Sequence, residues 1–412
     1  MPGVAGPGVL PLDGLRVLEH AQYVAGPFAG MLLADLGADV IKVEPPTGDA
    51  WRRYEPFADG ESRYFYALNR NKRSVVIDLK TRSGLSASRA LLRTADAVVH
   101  NFPLERAARF GLDRESVRAA NPRAVWCTVS ALGSDGPDAG VTAFDLVAQA
   151  LSGLLVADPR PGDEVPRRAG GIAMADFTAG LLCAISVLAG LVARRGADDA
   201  PGIEVSLLGA ALAVQAQRFV AVESLDGHRS GPEDADAVAT PADLARQAEH
   251  VQAADELEPY YRAYRAADGF FVLTCLNVTQ RRMTLRLLGL EDPFLDDPQA
   301  VPASEAERDE RRGLVARFEE LLVQEPAAHW IARLSDAGVP AARVRRLDQL
   351  YDDPQAQANG LVQEVEAPAA AGVRLLGGVF KVDGSPTKAR HGVPALGQHT
   401  REVLGAPAPE RE

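Results

Sequence analysis

Short β-branched runs alternate with helical stretches through the first half of the chain. Arg16 to Glu19 reads as a strand, Phe28 to Leu36 as a helix and Val40 to Val43 as a second strand, with Ser74 to Leu79, Ala97 to His100 and Ala124 to Ser130 as later strands. This βαβ rhythm predicts a parallel sheet covered by helices. The strand Asp39 to Glu44 ends in Pro45-Pro46, and the helix Ser83 to Thr94, with Gly84 near its start, lies between two predicted strands. Both read as Rossmann-type crossovers.

The pattern changes at Glu223. As far as about Glu258, Asp, Glu, Ala and Gly dominate, apolar periodicity fades, and Gly227, Gly231 and Pro232 punctuate the chain, so 223–258 is expected to be an acidic linker or insertion. Tyr260 to Tyr264, a strand over Phe270 to Thr274, and helices over Thr279 to Leu287, Arg308 to Leu322 and Ala327 to Ala337 predict a small α/β domain at 259–340. Short strands separated by Gly377-Gly378 and Gly384-Ser385-Pro386 follow, and 341–412 is expected to return to the large domain begun by 1–222. The longest apolar run, Ile172 to Ala193, approaches membrane-spanning length. It contains Asp176 and is rich in Gly and Ala, so a buried helix is expected and no membrane partner. Met1 to Pro11 has no basic segment leading into an apolar stretch and does not read as a secretory signal.

Composition narrows the function classes. A chain of 412 residues that is 47% hydrophobic and 24% charged is an ordinary globular protein with ample core. A formal net charge of -12 argues against nucleic acid as a partner, since phosphate-backbone affinity needs a broad basic surface. The three cysteines, Cys127, Cys183 and Cys275, have no CxxC spacing; neither a disulfide framework nor a thiolate zinc site is indicated, and a reducing cytoplasm fits. The seven histidines lack metal-ligand spacing, so no metal is expected. GxGxxG after a strand, GxxxxGK[ST], GxSxG and HExxH are all absent.

Three segments carry chemistry. Asn69-Arg70-Asn71-Lys72-Arg73-Ser74, with Lys80 beyond it, concentrates positive charge suited to a small polyphosphate, or else forms a solvated loop that offsets acidic neighbours. Asn101-Phe102 follows the strand Ala97 to His100, at the strand end where open parallel sheets bind ligands; Asn101 there can bond an amide or adenine edge, or simply form an Asx turn. Asp176, in Gly170 to Gly180, precedes the long apolar helix. It reads either as an N-cap or as a nucleophilic carboxylate that the helix N-terminus keeps ionised and that small neighbours leave room to use.

Together these stretches resemble the class III CoA-transferases, the superfamily of formyl-CoA transferase, carnitine CoA-transferase and alpha-methylacyl-CoA racemase. The resemblance spans nearly the whole chain and is carried by Leu12 to Leu18 with Ala25-Gly26-Pro27, Leu36 to Glu44, Asn69 to Ser74 with Asp78-Leu79-Lys80, Asn101-Phe102, Asn121-Pro122, Ala337 to Pro340, and Asp353-Pro354-Gln355. It implies a Rossmann-like large domain with a smaller α/β domain, an interlocked homodimer, acyl-CoA and a carboxylic acid as partners, and no tightly bound cofactor. By resemblance Asp176 falls on the catalytic aspartate, while Val24, Ala25, Ile77, Lys80, Asn101, Phe102, Arg109 and Asp145 fall on CoA-contacting positions. CoA then moves between acids through an aspartyl intermediate.

Two rival readings remain open in the sequence. One is an acyl-CoA racemase or epimerase acting at the alpha carbon, although Phe144 stands where that branch has its histidine and a phenyl ring carries no proton. The other is a catalytically silent CoA-binding protein in which Asp176 only caps its helix. Pro45 stands where several relatives have an arginine, so one phosphate contact is either missing or supplied by Arg52 or Arg53.

Overall fold

The computed structural model of the protein describes residues 9–58, 61–222, 237–295, 302 and 304–405. The chain divides into two compact units, one within Met1–Leu155, Arg168–Ala235 and Tyr351–Glu412, the other within Val156–Arg167 and Asp236–Leu350.

Six parallel strands build the first unit: β1 (Arg16–His20), β2 (Asp39–Glu44), β3 (Lys72–Val76), β4 (Ala97–His100), β5 (Val125–Ser130) and β6 (Gly202–Ser206). Their order is β3-β2-β1-β4-β5-β6, so the direction of winding reverses between β1 and β4. Ligands of open parallel sheets bind outside the carboxyl ends of the strands at such a reversal. The register of β1 shows how the pleat divides the core. Val17 points to one face, with Val40, Val99, Cys127 and the helix α1 (Ala25–Asp35), while Leu18 points to the other, with Ile41, Val75 and Val98. Helices α2 (Arg63–Leu68), α3 (Arg82–Leu92), α4 (Leu104–Arg109) and α5 (Arg114–Ala120) follow in the crossovers.

Two strands differ from expectation. β3 begins two residues before the expected Ser74, because Lys72, Arg73 and Ser74 are polar yet lie in the sheet. β6 was not expected at all: Gly-Ile-Glu-Val-Ser is a half-buried edge strand with only two apolar residues, too short for a periodic signal.

The segment Asn69 to Ser74 is neither a polyphosphate patch nor a solvated loop. Asn69, Arg70, Asn71 and Lys72 are buried. Arg70 pairs with Asp35 at 2.5 Å, and Lys72 with Glu19 at 2.7 Å. Lys42 reaches Glu19 at 2.8 Å and Asp49 at 2.7 Å, while Arg73 pairs with Asp39 at 2.5 Å. Opposite signs meeting in pairs allow Glu19, Lys42, Asp49 and Lys72 to be buried, since an unpaired ion there would cost several kcal/mol.

Helices α6 (Asp145–Leu151), α7 (Met174–Ala193) and α8 (Leu207–Ala213) complete this unit. One face of α7, with Ala175, Ala179, Gly180, Cys183 and Val187, is buried. Gly180 permits the close approach to α1: a Cβ there would sit 2.8 Å from the Ala25 carbonyl oxygen and 2.9 Å from the Phe28 ring. Cys183 lies with its Sγ 3.5 Å from that of Cys127 on β5, both as buried free thiols. The opposite face is apolar and open, with Leu181, Ile185 and Val192 about half exposed. Among the described residues α7 is the one helix long and apolar enough to cross a membrane.

The second unit holds α9 (Pro241–Leu257), β7 (Tyr261–Ala266), β8 (Gly269–Thr274), α10 (Val278–Leu288), α11 (Glu305–Leu322), α12 (Ala327–Asp336) and β9 (Ala341–Arg343). Its antiparallel sheet has the order β9-β8-β7 over a core of Tyr260, Tyr264, Phe271, Phe318 and Trp330. The expected acidic linker over 223–258 therefore carries a 17-residue helix, its weak apolar periodicity having hidden it; 223–236 lies outside the described residues. The third strand falls at the start of the segment expected to return to the large domain, since Ala341 to Arg343 pair with β8. The hairpin β10 (Val362–Ala367) and β11 (Ala370–Leu376) belongs to the first unit.

Candidate active site

Asp176 is the third residue of α7, and the N-cap is Ala173, whose side chain offers no acceptor. The reading of Asp176 as the helix cap is thereby corrected. The cap comes from α6: Asp145 Oδ1 accepts the N–H of Ala175 at 2.9 Å and that of Asp176 at 3.3 Å. Its Oδ2 accepts from Gln149 Nε2 at 2.8 Å. Gln149 sits one turn along α6, donates to the Ile172 carbonyl and accepts from Ala169 N–H, so two side chains of one helix hold the loop entering the next. Gly170 and Gly171 in that loop have φ of 59° and 70°, which disfavours any side chain.

The ionisation of Asp176 departs from expectation. A helix N-terminus favours a carboxylate, yet burial raises its pKa to about 7, the Asp145 charge pushes the same way, and only the Arg168 guanidinium pulls it down. Burial is the largest influence on this carboxyl. Arg168 itself is half exposed, with Nε 4.0 Å from Asp145 Oδ2.

An aromatic wall adjoins these carboxyls. Tyr23, in the turn after β1, holds φ at 68° and packs edge-on against Phe144 at 5.4 Å and Trp51 at 5.6 Å. Trp51 continues to Tyr54 at 4.7 Å and Tyr64 at 5.2 Å. Asp49 fixes this cluster by accepting the N–H groups of Tyr23 at 3.2 Å and Trp51 at 3.0 Å, and Lys42 in turn holds Asp49. Because Phe144 immediately precedes Asp145, the Tyr23–Phe144 contact brings the carboxyl end of β1 to the entrance of α7.

The other sequence candidates divide by environment. Val24, Ala25 and Ile77 are buried, their side chains in apolar clusters. Asn101 exchanges hydrogen bonds with Gln22, accepting from its N–H at 3.1 Å and donating to its carbonyl at 2.8 Å, so its amide locks β4 to the turn after β1. Phe102 is half-buried, stacked on His100 and edge-on to Phe110. Lys80 and Arg109 are exposed cations near the carboxyl ends of β3 and β4. Arg52 is not free for a phosphate: it is buried, bonded through Nε and Nη2 to Glu44 at 2.8 and 2.9 Å, and donates to the Pro394 carbonyl. Arg53 remains exposed.

Sequence reasoning missed Trp51, Tyr64, Gln149 and Arg168. Only Gln149 left a legible signal, an Asp145/Gln149 pair four residues apart on a helical pattern. It also missed His20 and His100, buried in-register neighbours on β1 and β4 at the winding reversal. Burial lowers their pKa to about 3 and about 4, so both rings are neutral.

The sequence matches the CoA-transferase family III profile over residues 12–400. The chain is 34% identical to the succinate–glutarate CoA-transferase of Agrobacterium fabrum, with 96% of this chain and 95% of that one aligned. It is 30% identical to the acetyl-CoA:oxalate CoA-transferase of Acetobacter aceti, covering 96% of each. The crystal structure of a CAIB/BAIF family protein from Brucella suis superposes with a TM-score of 0.74 at 30% identity, covering 96% of this chain and 99% of that one. A profile spanning both units and full-length relatives agree: the chain belongs to CoA-transferase family III and is an enzyme of that class.

Proposed function

We propose that CoA passes between acids through a covalent adduct on Asp176. The carboxylate attacks the thioester carbonyl, the C–S bond breaks, and CoA thiolate leaves a mixed anhydride on Asp176. The thiolate then attacks the Asp176 carbonyl carbon and expels the donor acid, giving an aspartyl-CoA thioester. The acceptor carboxylate repeats both steps in reverse and restores Asp176. The observation that carries this reading is the environment of Asp176: partly desolvated, held near pKa 7, and backed by a helix end whose first N–H groups Asp145 already satisfies. A carboxylate stabilised poorly by solvent is the more nucleophilic for it. Phe144 offers no proton-carrying group beside it, which favours transfer over racemisation.

Lys80 and Arg109 are the cations we assign to the CoA phosphates, with Phe102 and the backbone at Val24, Ala25 and Ile77 shaping the nucleotide site. Asn101 acts through Gln22. Asp145, expected as a CoA contact, is assigned to positioning α7.

The test is mass spectrometry after incubation with a panel of acyl-CoAs and hydroxylamine or borohydride trapping. Modification confined to Asp176 is expected; a donor that binds and leaves no adduct on the protein would rule the mechanism out. The pH profile gives a second check. Since the nucleophile must be ionised, kcat/KM rises with pH up to a limb near 7, and Asp145→Asn, which removes the like charge, moves that limb to lower pH. A profile flat from pH 5.5 to 8 contradicts the assignment.

We also propose a homodimer that covers the open face of α7, where Leu181, Ile185 and Val192 are exposed, as Leu146, Val147 and Leu151 are on α6. Light scattering on a sizing column is expected to give twice the chain mass, and Ile185→Glu to shift it toward the monomer. A monomeric wild type refutes the interface.

A further inference from the structure

We propose that Arg168 binds the remote carboxylate of a dicarboxylic substrate whose reacting end lies at Asp176. This rests on the transfer reading above and deepens it, since it names the class of acid.

Arg168 is an uncommitted cation in the most acidic corner of the site. Its guanidinium donates no hydrogen bond to a described residue, and its one ionic neighbour, Asp145, stands 4.0 Å away. Asp145 does not need it, because both its oxygens already accept hydrogen bonds from Ala175, Asp176 and Gln149. Its 4.0 Å approach to Asp145, whose other oxygen accepts the Asp176 N–H, puts it beside the helix entrance that carries the nucleophile, and its charge bears on the Asp176 carboxyl, the Asp145 carboxyl and the Tyr64 hydroxyl. A planar fork with unspent donors in that place matches a second carboxylate.

Charge balance makes the same point. A diacid bound as its mono-thioester brings one more negative charge beside Asp145 and the ionised Asp176, and Arg168 is the cation that acts on both of those carboxyls. The methylene spacer has an apolar path along Tyr23 and Phe144. The Trp51 indole N–H, buried in the same cluster and bonded to no described group, supplies a further donor.

The experiment is an internal competition between two acceptors, glutarate and glutaramate, in which a neutral amide replaces the remote carboxylate. One acyl-CoA donor that acylates the wild type serves throughout, so donor effects cancel. The kcat/KM ratio of glutarate over glutaramate is expected to fall about 10- to 100-fold in Arg168→Gln, the loss typical of a charge-assisted pair, and to recover in part in Arg168→Lys. A ratio that stays within twofold while transfer continues overturns the role of Arg168 and leaves the Asp176 mechanism standing. If turnover fails for every donor, calorimetric binding of glutarate to the full-length Asp176→Ala protein, with and without Arg168→Gln, still decides. Weaker binding without the arginine supports the proposal and equal binding overturns it.

Discussion

Replacing Asp176 by asparagine is expected to abolish acyl exchange and at the same time to make the protein more stable. The kinetic half follows from the covalent route, in which no other described carboxyl occupies the nucleophile's place: exchange falls at least about a thousandfold, the scale on which loss of a nucleophile is felt. The stability half follows from ionisation. A carboxyl held near 7 in the fold, against an ordinary value of 3.8, takes up protons on folding across that interval, so its ionised form opposes folding. The cost is absent below pH 4, grows as pH rises, and is complete above 7, where it reaches on the order of 4 kcal/mol. Asparagine keeps the shape and removes the charge, so urea unfolding at pH 8 is expected to show a gain of about 2–4 kcal/mol that shrinks toward pH 4. An Asp176→Asn protein less stable than wild type at pH 8 would mean that its carboxylate is well solvated or well paired. The nucleophile is thus a site where the fold gives up stability for reactivity.

The second large effect lies out of reach of substrate. Lys42→Met is expected to destabilise the protein by about 3–5 kcal/mol, because it leaves Glu19 and Asp49 short of their common cation in the interior. Lys72→Met is expected to cost clearly less. The two lysines share Glu19 but differ in their ionisation. Burial pulls Lys42 down, yet Asp49, Glu19 and Glu44 together hold it above its ordinary value, so it stabilises the fold at every pH below about 10. For Lys72 burial prevails over Glu19, and with the Lys42 charge beside it the pKa falls to about 8. Below 8 its charge opposes folding, a burden that lifts as pH climbs from there toward 10.5. Denaturant midpoints of both variants at pH 7.5 decide the matter, and equal losses would contradict this division. Lys42→Met should also lower activity, since Asp49 anchors the turns that carry Tyr23 and Trp51.

What the sequence disclosed, and what it hid, follows from the range of the interactions. The strands at Asp39 to Glu44, Ala97 to His100 and Val125 to Ser130 were legible because each carries a short β-branched apolar run, Val40-Ile41, Val98-Val99 and Val125 with Val129, which is a local property. The beginning of β3 was not, because Lys72 and Arg73 are acceptable there only once Glu19 and Asp39 stand opposite them on other strands. Asp176 was found through a resemblance and through its place before an apolar helix. Its actual support, Asp145, is 31 residues away and meets it only where α6 and α7 bring their first turns together. The cap inference failed for the same reason: a lone acid near a helix start looks the same whether it caps the helix or is itself served by another cap.

The three native cysteines, Cys127, Cys183 and Cys275, are all free and all buried. A thiol reagent applied to the folded enzyme therefore meets no native sulfur at the surface, and one introduced at an exposed position would take a fluorophore or spin label selectively. Tyr54, about half exposed beside Trp51 at the aromatic wall, offers such a position within sight of an entering acid. The protein thus arrives already suited to spectroscopy of substrate entry, without first removing residues from its core.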